Sequence, residues 1–264
     1  MSGTTRAKPR SVKVELSPGQ VKLMTDYMIQ NPVSYFQVPA IRNLIAAARI
    51  QELKPEQIRS VGQNPEAAIK NAVDYNISTL KTLVALDRPS KLINPLTSID
   101  LIAKRIGEMT VLTVGPRSEA EIFGLLAVGF SPNNIYGLDL FSYSDFVDVG
   151  DMHAMPYPDR SFDVIILGWV LAYSKDNPRV AAEVLRVARP GAFVAIGCQY
   201  VPYSREQMKE IDGDNFMDPT RFWMTEDIVR LFEGRIDSII LRHDVHPSLR
   251  HEHGELLVIF QLKG

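Results

Sequence analysis

The sequence predicts an α/β protein, a doubly wound and mostly parallel sheet over residues 108–264 preceded by an N-terminal helical region. Three observations predict it. From Met109 onward, short β-branched runs alternate with amphipathic helical patterns, the signature of strand–helix–strand units. One run, Phe162-Asp-Val-Ile-Ile-Leu167, is nearly all apolar, as a strand covered on both faces must be. Before Met109, apolar residues recur at helical spacing and no strand signal is read.

Taken in order, residues 1–13 read as a disordered tail whose Arg6, Lys8 and Arg10 are solvated. Residues 14–107 read as a helical cap or dimerisation region. Ser17-Pro18 forms an N-cap with proline at the first helical position. Val21, Met24, Tyr27 and Met28 follow at helical spacing, then Ile41, Leu44, Ile45 and Ala48, then Ala68, Ile69, Ala72 and Val73, then Leu80, Leu83 and Val84. Thr110–Val114 is the first strand and Gly115 closes it. Ser118 and Glu121 fit a capping box opening a helix over 119–129. Asn134–Asp139, Asp145–Val149, Phe162–Leu167 and Ala192–Ile196 are further strands, with a helix over 176–188. Ile236–Leu241 and Glu255–Gln261, joined by a polar loop, suggest a terminal hairpin-like pair and one antiparallel strand.

Bulk properties narrow the function. The chain has 264 residues, 45% hydrophobic and 23% charged, which is ordinary globular usage. A formal charge of −2 argues against a nucleic-acid partner. Cys198 is the single cysteine, so no intramolecular disulfide forms, and a cytoplasmic setting fits. No signal peptide is read, and the longest apolar stretch, Val164–Tyr173, is too short to span a bilayer.

In an open α/β sheet, ligands gather at the carboxyl ends of the strands. Gly115 ends the first strand and Asp139 the second, followed by Leu140. A carboxylate at Asp139 can accept from both ribose hydroxyls of a nucleoside. Asp151 would accept from an adenine amine with Met152 packing on the base, and Gly168-Trp169 ends the strand where the reacting group should lie.

Gly150-Asp-Met-His-Ala-Met-Pro-Tyr-Pro-Asp-Arg-Ser-Phe-Asp-Val-Ile165 resembles the "GDA-x-x-LPF-x-D-x-SFD-x-V" block of class I (Rossmann-like) S-adenosylmethionine-dependent methyltransferases, the type 11 branch. Ala182-Glu-Val-Leu-Arg-Val-Ala-Arg-Pro-Gly191 resembles their "E-x-x-R-V-L-K-P-G-G" block, and Thr225–Phe232 the helix before their sixth strand. The resemblance covers the C-terminal three fifths of the chain. It implies a class I methyltransferase-like fold, S-adenosyl-L-methionine as cofactor, and a methyl acceptor. The near-neutral charge favours a small molecule as that acceptor. Gly115, Arg117, Asp139, Leu140, Asp151, Met152, Gly168 and Trp169 become the expected cofactor-binding residues.

Two departures stand out. The family's loop reads D/E-x-G-x-G-x-G, whereas this chain has Thr113-Val-Gly115-Pro-Arg117-Ser-Glu119, with one glycine and no leading acid. Left-handed backbone at a non-glycine costs about 1–2 kcal/mol, and Arg117 would compensate by pairing with the cofactor carboxylate. Only twelve positions separate Asp139 from Asp151, so the crossover helix must be very short or absent. The adenine wall would then be the loop Phe141-Ser-Tyr-Ser144.

His153, Tyr173 and Tyr200 are candidate bases for a hydroxyl acceptor. Trp169 and Tyr173 are either core aromatics or substrate contacts. Residues 199–224, rich in Tyr, Met, Phe and Trp, read as a substrate lid. Asp163, Glu183 and Arg186 read as a structural network. His243, His246, His251 and His253 cluster without a cysteine, and no metal site is expected there. Two other readings stay open. One is a non-catalytic binding or scaffold protein with an eroded cofactor loop. The other is a nicotinamide-dependent oxidoreductase, which lacks G-x-G-x-x-G after the first strand.

Overall fold

The structure is a computed structural model that describes residues 15–62, 90–212 and 220–264, together with Asp74 and Ile77. The expected tail over 1–13 and the apolar spacings around 68–73 and 80–84 lie outside the described residues.

The strands are β1 (Arg59–Ser60), β2 (Val111–Val114), β3 (Ile135–Asp139), β4 (Phe141–Ser142), β5 (Val147–Val149), β6 (Phe162–Gly168), β7 (Ala188–Tyr200), β8 (Ile236–His243) and β9 (Gly254–Leu262). Seven of them form one sheet in the order β5-β3-β2-β6-β7-β9-β8. β2 pairs in parallel with β3 and β6, β3 with β5, and β6 with β7. β9 runs antiparallel to both β7 and β8, so it is the one antiparallel strand the terminal pair suggested.

Alternation along β6 explains its apolar run. Val164 and Ile166 join one core cluster with Val111, Ile122, Leu125, Phe193 and Ile259. Ile165 and Leu167 join the other with Leu112, Val180, Val184, Val194 and Val258. A strand with period two and both faces dry needs apolar residues at every position.

The helices are α1 (Pro18–Gln30), α2 (Pro39–Gln51), α3 (Ser90–Leu96), α4 (Asp100–Arg105), α5 (Glu119–Val128), α6 (Asn177–Val187), α7 (Arg205–Asp212) and α8 (Thr225–Val229). Ser17 caps α1 through a capping box with Gln20. α1 buries no residue, and Val21, Leu23, Met24 and Tyr27 are exposed. α2 instead buries Arg42, Ala46 and Ile50, one helical turn apart. Ahead of it Phe36 stacks on Phe123 of α5 at 4.4 Å.

The helical reading of the N-terminal region needs one correction. Arg59–Ser60 is a strand, paired antiparallel with β4. Two residues carry no periodicity, and only the unpaired edge of β4 makes them extended. No helix joins β3 to β5, as the short spacing required.

The block ahead of β6 is pinned to α6 by one guanidinium. Arg186 donates to Glu183 (2.9 and 2.8 Å), Asp159 (2.9 Å), Met155 O (2.9 Å) and Tyr157 O (2.7 Å). Arg186 holds the Glu183 carboxyl below its ordinary range. Asp163 likewise accepts from Thr110 and Arg189. Arg186→Ala should cost about 1.5–3 kcal/mol, the range for hydrogen bonds to charged groups, read as a lower urea midpoint at unchanged slope. Because Glu183 is depressed in the fold, the native advantage over this variant is full at neutral pH. It should shrink as the pH falls through the depressed Glu183 range.

Candidate active site

Strand order reverses at β2: the chain goes outward to β3 and β5, then returns to β6 on the other side. The carboxyl ends of β2 and β6 therefore flank a crevice. Gly115 turns there with φ +71°, and a Cβ on it would stand 2.1 Å from Val170 Cγ1, so only glycine fits. Two residues on, Arg117 has φ +53°. Left-handed backbone at this non-glycine residue costs about 1–2 kcal/mol. Trp169, at φ +61°, is a second such residue on the facing loop. Strained backbone of this kind concentrates at functional sites.

The turn aims its amides at Asp139. Arg117 N–H donates to Asp139 Oδ2 (3.0 Å) and Leu140 N–H to Oδ1 (2.7 Å). Burial pushes the Asp139 carboxyl up to about 6, against the pull of these amides, the Phe141 amide and the Arg117 charge.

The expected capping box is not formed. Ser118 makes no side-chain cap, and Glu121 accepts from the Thr113 hydroxyl instead. Glu121 is buried, and burial pushes its carboxyl up to about 7, opposed by the Thr113 bond and helped by the Asp139 charge. A Cβ on Gly168 would stand 3.6 Å from Glu121 Oε2, so this acid lies against the end of β6. The carboxylate beside Thr113 thus comes from α5, eight residues later. Thr113, standing where the family has an acid, was the one sequence signal at this position.

A narrow cleft lined by residues 116–119, Asp139, residues 141–144 and Val147 leaves only about 10 Å³ of free interior volume. That is below the roughly 300–1,000 Å³ of small-molecule sites, so a cofactor-sized ligand must widen it. Phe141-Ser-Tyr-Ser144 lines one side of it. Glu119, buried, accepts from Ser144 Oγ (2.8 Å), and its N–H donates to the Tyr143 hydroxyl (3.2 Å). Burial raises the Tyr143 hydroxyl.

At the neighbouring strand end, Asp151 Oδ1 lies 2.6 Å from His153 Nδ1, and His153 Nε2 lies 2.8 Å from Ser174 Oγ. Both ring nitrogens are engaged, and Ser174 was not singled out in the sequence. Met152 packs half-buried beside this group. Tyr173 is exposed on the loop after β6, whereas Tyr200 is buried and its hydroxyl donates to Arg250 O (3.0 Å). Trp169 is a core aromatic, its ring within 3.3 Å of a Cβ on Gly197. Leu140 packs outward with Ile50 and Phe141.

Of the segment 199–224, residues 213–219 lie outside the described residues. Thr220 bonds Ala172 O and Ser174 O, which ties this segment to the loop after β6. His246 accepts from Ser248 N–H, and the His253 ring meets Tyr203 edge-on. Among the described residues, no group of three or more His, Cys, Asp or Glu side chains is placed to hold a metal. Among them, too, no helix is long and apolar enough to cross a membrane.

Residues 116–196 match the family model described as a methyltransferase domain. A 2-phytyl-1,4-naphtoquinone methyltransferase of Synechococcus elongatus is 36% identical over 72 residues, 26% of this chain and 31% of that protein. A demethylmenaquinone methyltransferase of Symbiobacterium thermophilum is 32% identical over 66 residues, 24% and 26% of the two chains. The chain thus spans about a third or less of these curated relatives. Two solved structures share the fold at 14% identity. One is a chain from the complex of the Haloferax volcanii Trm112 methyltransferase activator with a methyltransferase (TM-score 0.55, covering 75% of this chain and 98% of that one). The other is Burkholderia thailandensis 1,6-didemethyltoxoflavin-N1-methyltransferase with bound 1,6-didemethyltoxoflavin and S-adenosylhomocysteine (TM-score 0.51, covering 78% and 95%).

The chain has the class I, Rossmann-like methyltransferase fold. Within it, residues 116–196 are similar to the methyltransferase domain family.

The buried Glu121 generates a stability test. Its folded value lies above its unfolded one, so ionisation opposes folding. The penalty is absent below about pH 4.5 and grows until about pH 7. Glu121→Gln should therefore match the native protein in acid and exceed its stability by up to about 3 kcal/mol at pH 8. Urea unfolding across this range checks it, and parallel profiles would contradict it.

Proposed function

We propose that this chain is an S-adenosylmethionine-dependent methyltransferase acting on a small-molecule acceptor. The observation that carries the reading is the buried Asp139 carboxylate, presented at the switch point beside Gly115 and the left-handed Arg117 turn. The residues fit the cofactor. Asp139 would accept from the ribose hydroxyls, with Leu140 completing that turn. The 141–144 wall, Asp151 and Met152 would enclose the adenine. Gly115 and Arg117 would face the methionine end, the Arg117 guanidinium pairing with its carboxylate. Gly168 and the loop after it would border the reacting carbon.

Bound S-adenosylmethionine supplies a methyl group already activated on a sulfonium. The protein's own task is alignment and exclusion of water. For a hydroxyl acceptor, His153 would act as base only through the Ser174 hydroxyl, because Asp151 holds one ring nitrogen and Ser174 the other. Tyr173 is exposed on the same rim, while the Tyr200 hydroxyl is committed to Arg250 O. The names of the curated relatives make a quinone-type ring the first acceptor class to try. The N-terminal helices would cap the site, and the exposed apolar side chains of α1 are where a homodimer contact would form.

The experiment is calorimetric titration with S-adenosylhomocysteine. Asp139→Ala should weaken binding by about 1.5–3 kcal/mol. Native affinity should also fall as the pH drops below about 6, because a protonated Asp139 accepts poorly. Asp139→Asn should be weak at every pH. Equal affinity in all three removes Asp139 from the site.

Val170 lying over Gly115, together with the narrow cleft, is what favours the second reading, a non-catalytic binding protein. Arg117→Gly and Arg117→Ala separate the two. If both bind S-adenosylhomocysteine about tenfold or more weakly, the guanidinium is a carboxylate anchor. Tighter binding by the glycine variant identifies Arg117 as an obstruction and favours the second reading.

A further inference from the structure

A parallel neighbour normally needs a crossover helix to return the chain. Between Asp139 and Val147 there is none, yet this stretch is the wall of the cleft. Something else must hold it. Arg59–Ser60 pairs with Phe141–Ser142, and Val61 N–H donates to Leu140 O (2.9 Å). Arg59 Nη2 reaches Ser144 O (2.7 Å), Ser142 Oγ (3.3 Å) and Val147 O (3.5 Å). Arg49 clamps Glu119 through Nε (2.5 Å) and Nη2 (3.3 Å), and Glu119 holds Ser144. Beneath these bonds Ile50 and Phe141 share a small core with Leu53, Ile58 and Val61.

We propose that residues 49–61 replace the crossover helix as the outer support of the adenosine subsite, with Arg49 and Arg59 as positioning residues that set cofactor affinity. The inference rests on the cofactor reading above. Its physical basis is preorganisation. A wall left free in the unliganded protein must be ordered on binding, which costs conformational entropy for every residue fixed. The two arginines fix it beforehand from both ends of the cleft. Neither would touch the methionine end of the ligand, which lies towards Gly115 and Arg117.

The test uses the full chain, calorimetry well below the unfolding temperature, and two probes: S-adenosylhomocysteine, and 5′-methylthioadenosine, which lacks the methionine end. Arg59→Ala and Arg49→Ala should each weaken both probes by the same factor, about tenfold or more. Arg49→Lys, which keeps the ion pair, should recover most of the loss. Arg117→Ala should weaken S-adenosylhomocysteine alone. Unchanged affinity in the two alanine variants, or a loss confined to S-adenosylhomocysteine, overturns the proposal. A purely structural role would lower the unfolding temperature without this shared loss. Hydrogen exchange on the unaltered protein covers variants that do not fold. S-adenosylhomocysteine should slow exchange at 49–61 together with 139–147, and protection of 139–147 alone overturns the inference. If the unaltered protein binds neither probe, the cofactor reading itself fails and this inference with it. Binding by the native protein without an effect of the variants sinks only the inference.

Discussion

Burial of β2 and β6 on both faces constrains everything else in this molecule. Val111, Leu112, Val164, Ile165, Ile166 and Leu167 are all fully buried or nearly so, and they bond sideways only to parallel neighbours. A dry, fully covered strand has no room for an unpaired polar group. Polar chemistry is therefore pushed to the strand ends, where Gly115, Asp139 and Gly168 emerge. The reversal of strand order beside β2 then separates the loops at one of these ends and leaves a crevice. Position and chemistry of the site follow from the same packing requirement.

The crevice is acidic and crowded. Asp139 and Glu119 line the cleft while Glu121 lies against the end of β6, and each is held differently. Asp139 takes backbone amides, Glu121 takes the Thr113 hydroxyl, and Glu119 takes Arg49 and Ser144. Burial raises the first two carboxyls towards neutrality, where a modest change in surroundings alters their charge. The third is fixed by a cation from outside the methyltransferase domain. Arg49, on the N-terminal segment, is thus tied to the same helix end that carries Glu121.

Departures from the family pattern look less like erosion once the side chains are placed. Arg117 adopts the left-handed backbone that glycine takes without steric cost. Glu121 places a carboxylate beside Thr113. Residues 49–61 brace a wall that has no helix behind it.

The sequence by itself determined the strand–helix alternation, the apolar central strand, the antiparallel last pair and the absence of a crossover helix after Asp139. These depend on local periodicity and chain length, which a linear string records directly. It also placed Gly115, Arg117 and Asp139 at one rim, because strand ends follow from strand positions. Only the tertiary structure decided the rest. Ser118 and Glu121 satisfied the local rule for a helix start, but a buried hydroxyl at Thr113 offered Glu121 a partner the linear rule does not see. Trp169 and Tyr200, legible as rim aromatics, turned into the core because Gly197 and Arg250 leave space and an acceptor there. Arg49, Arg59 and Ser174 gave no sequence signal at all. Their partners lie 70, 85 and 21 residues away, and contacts of that separation exist only once the chain has folded.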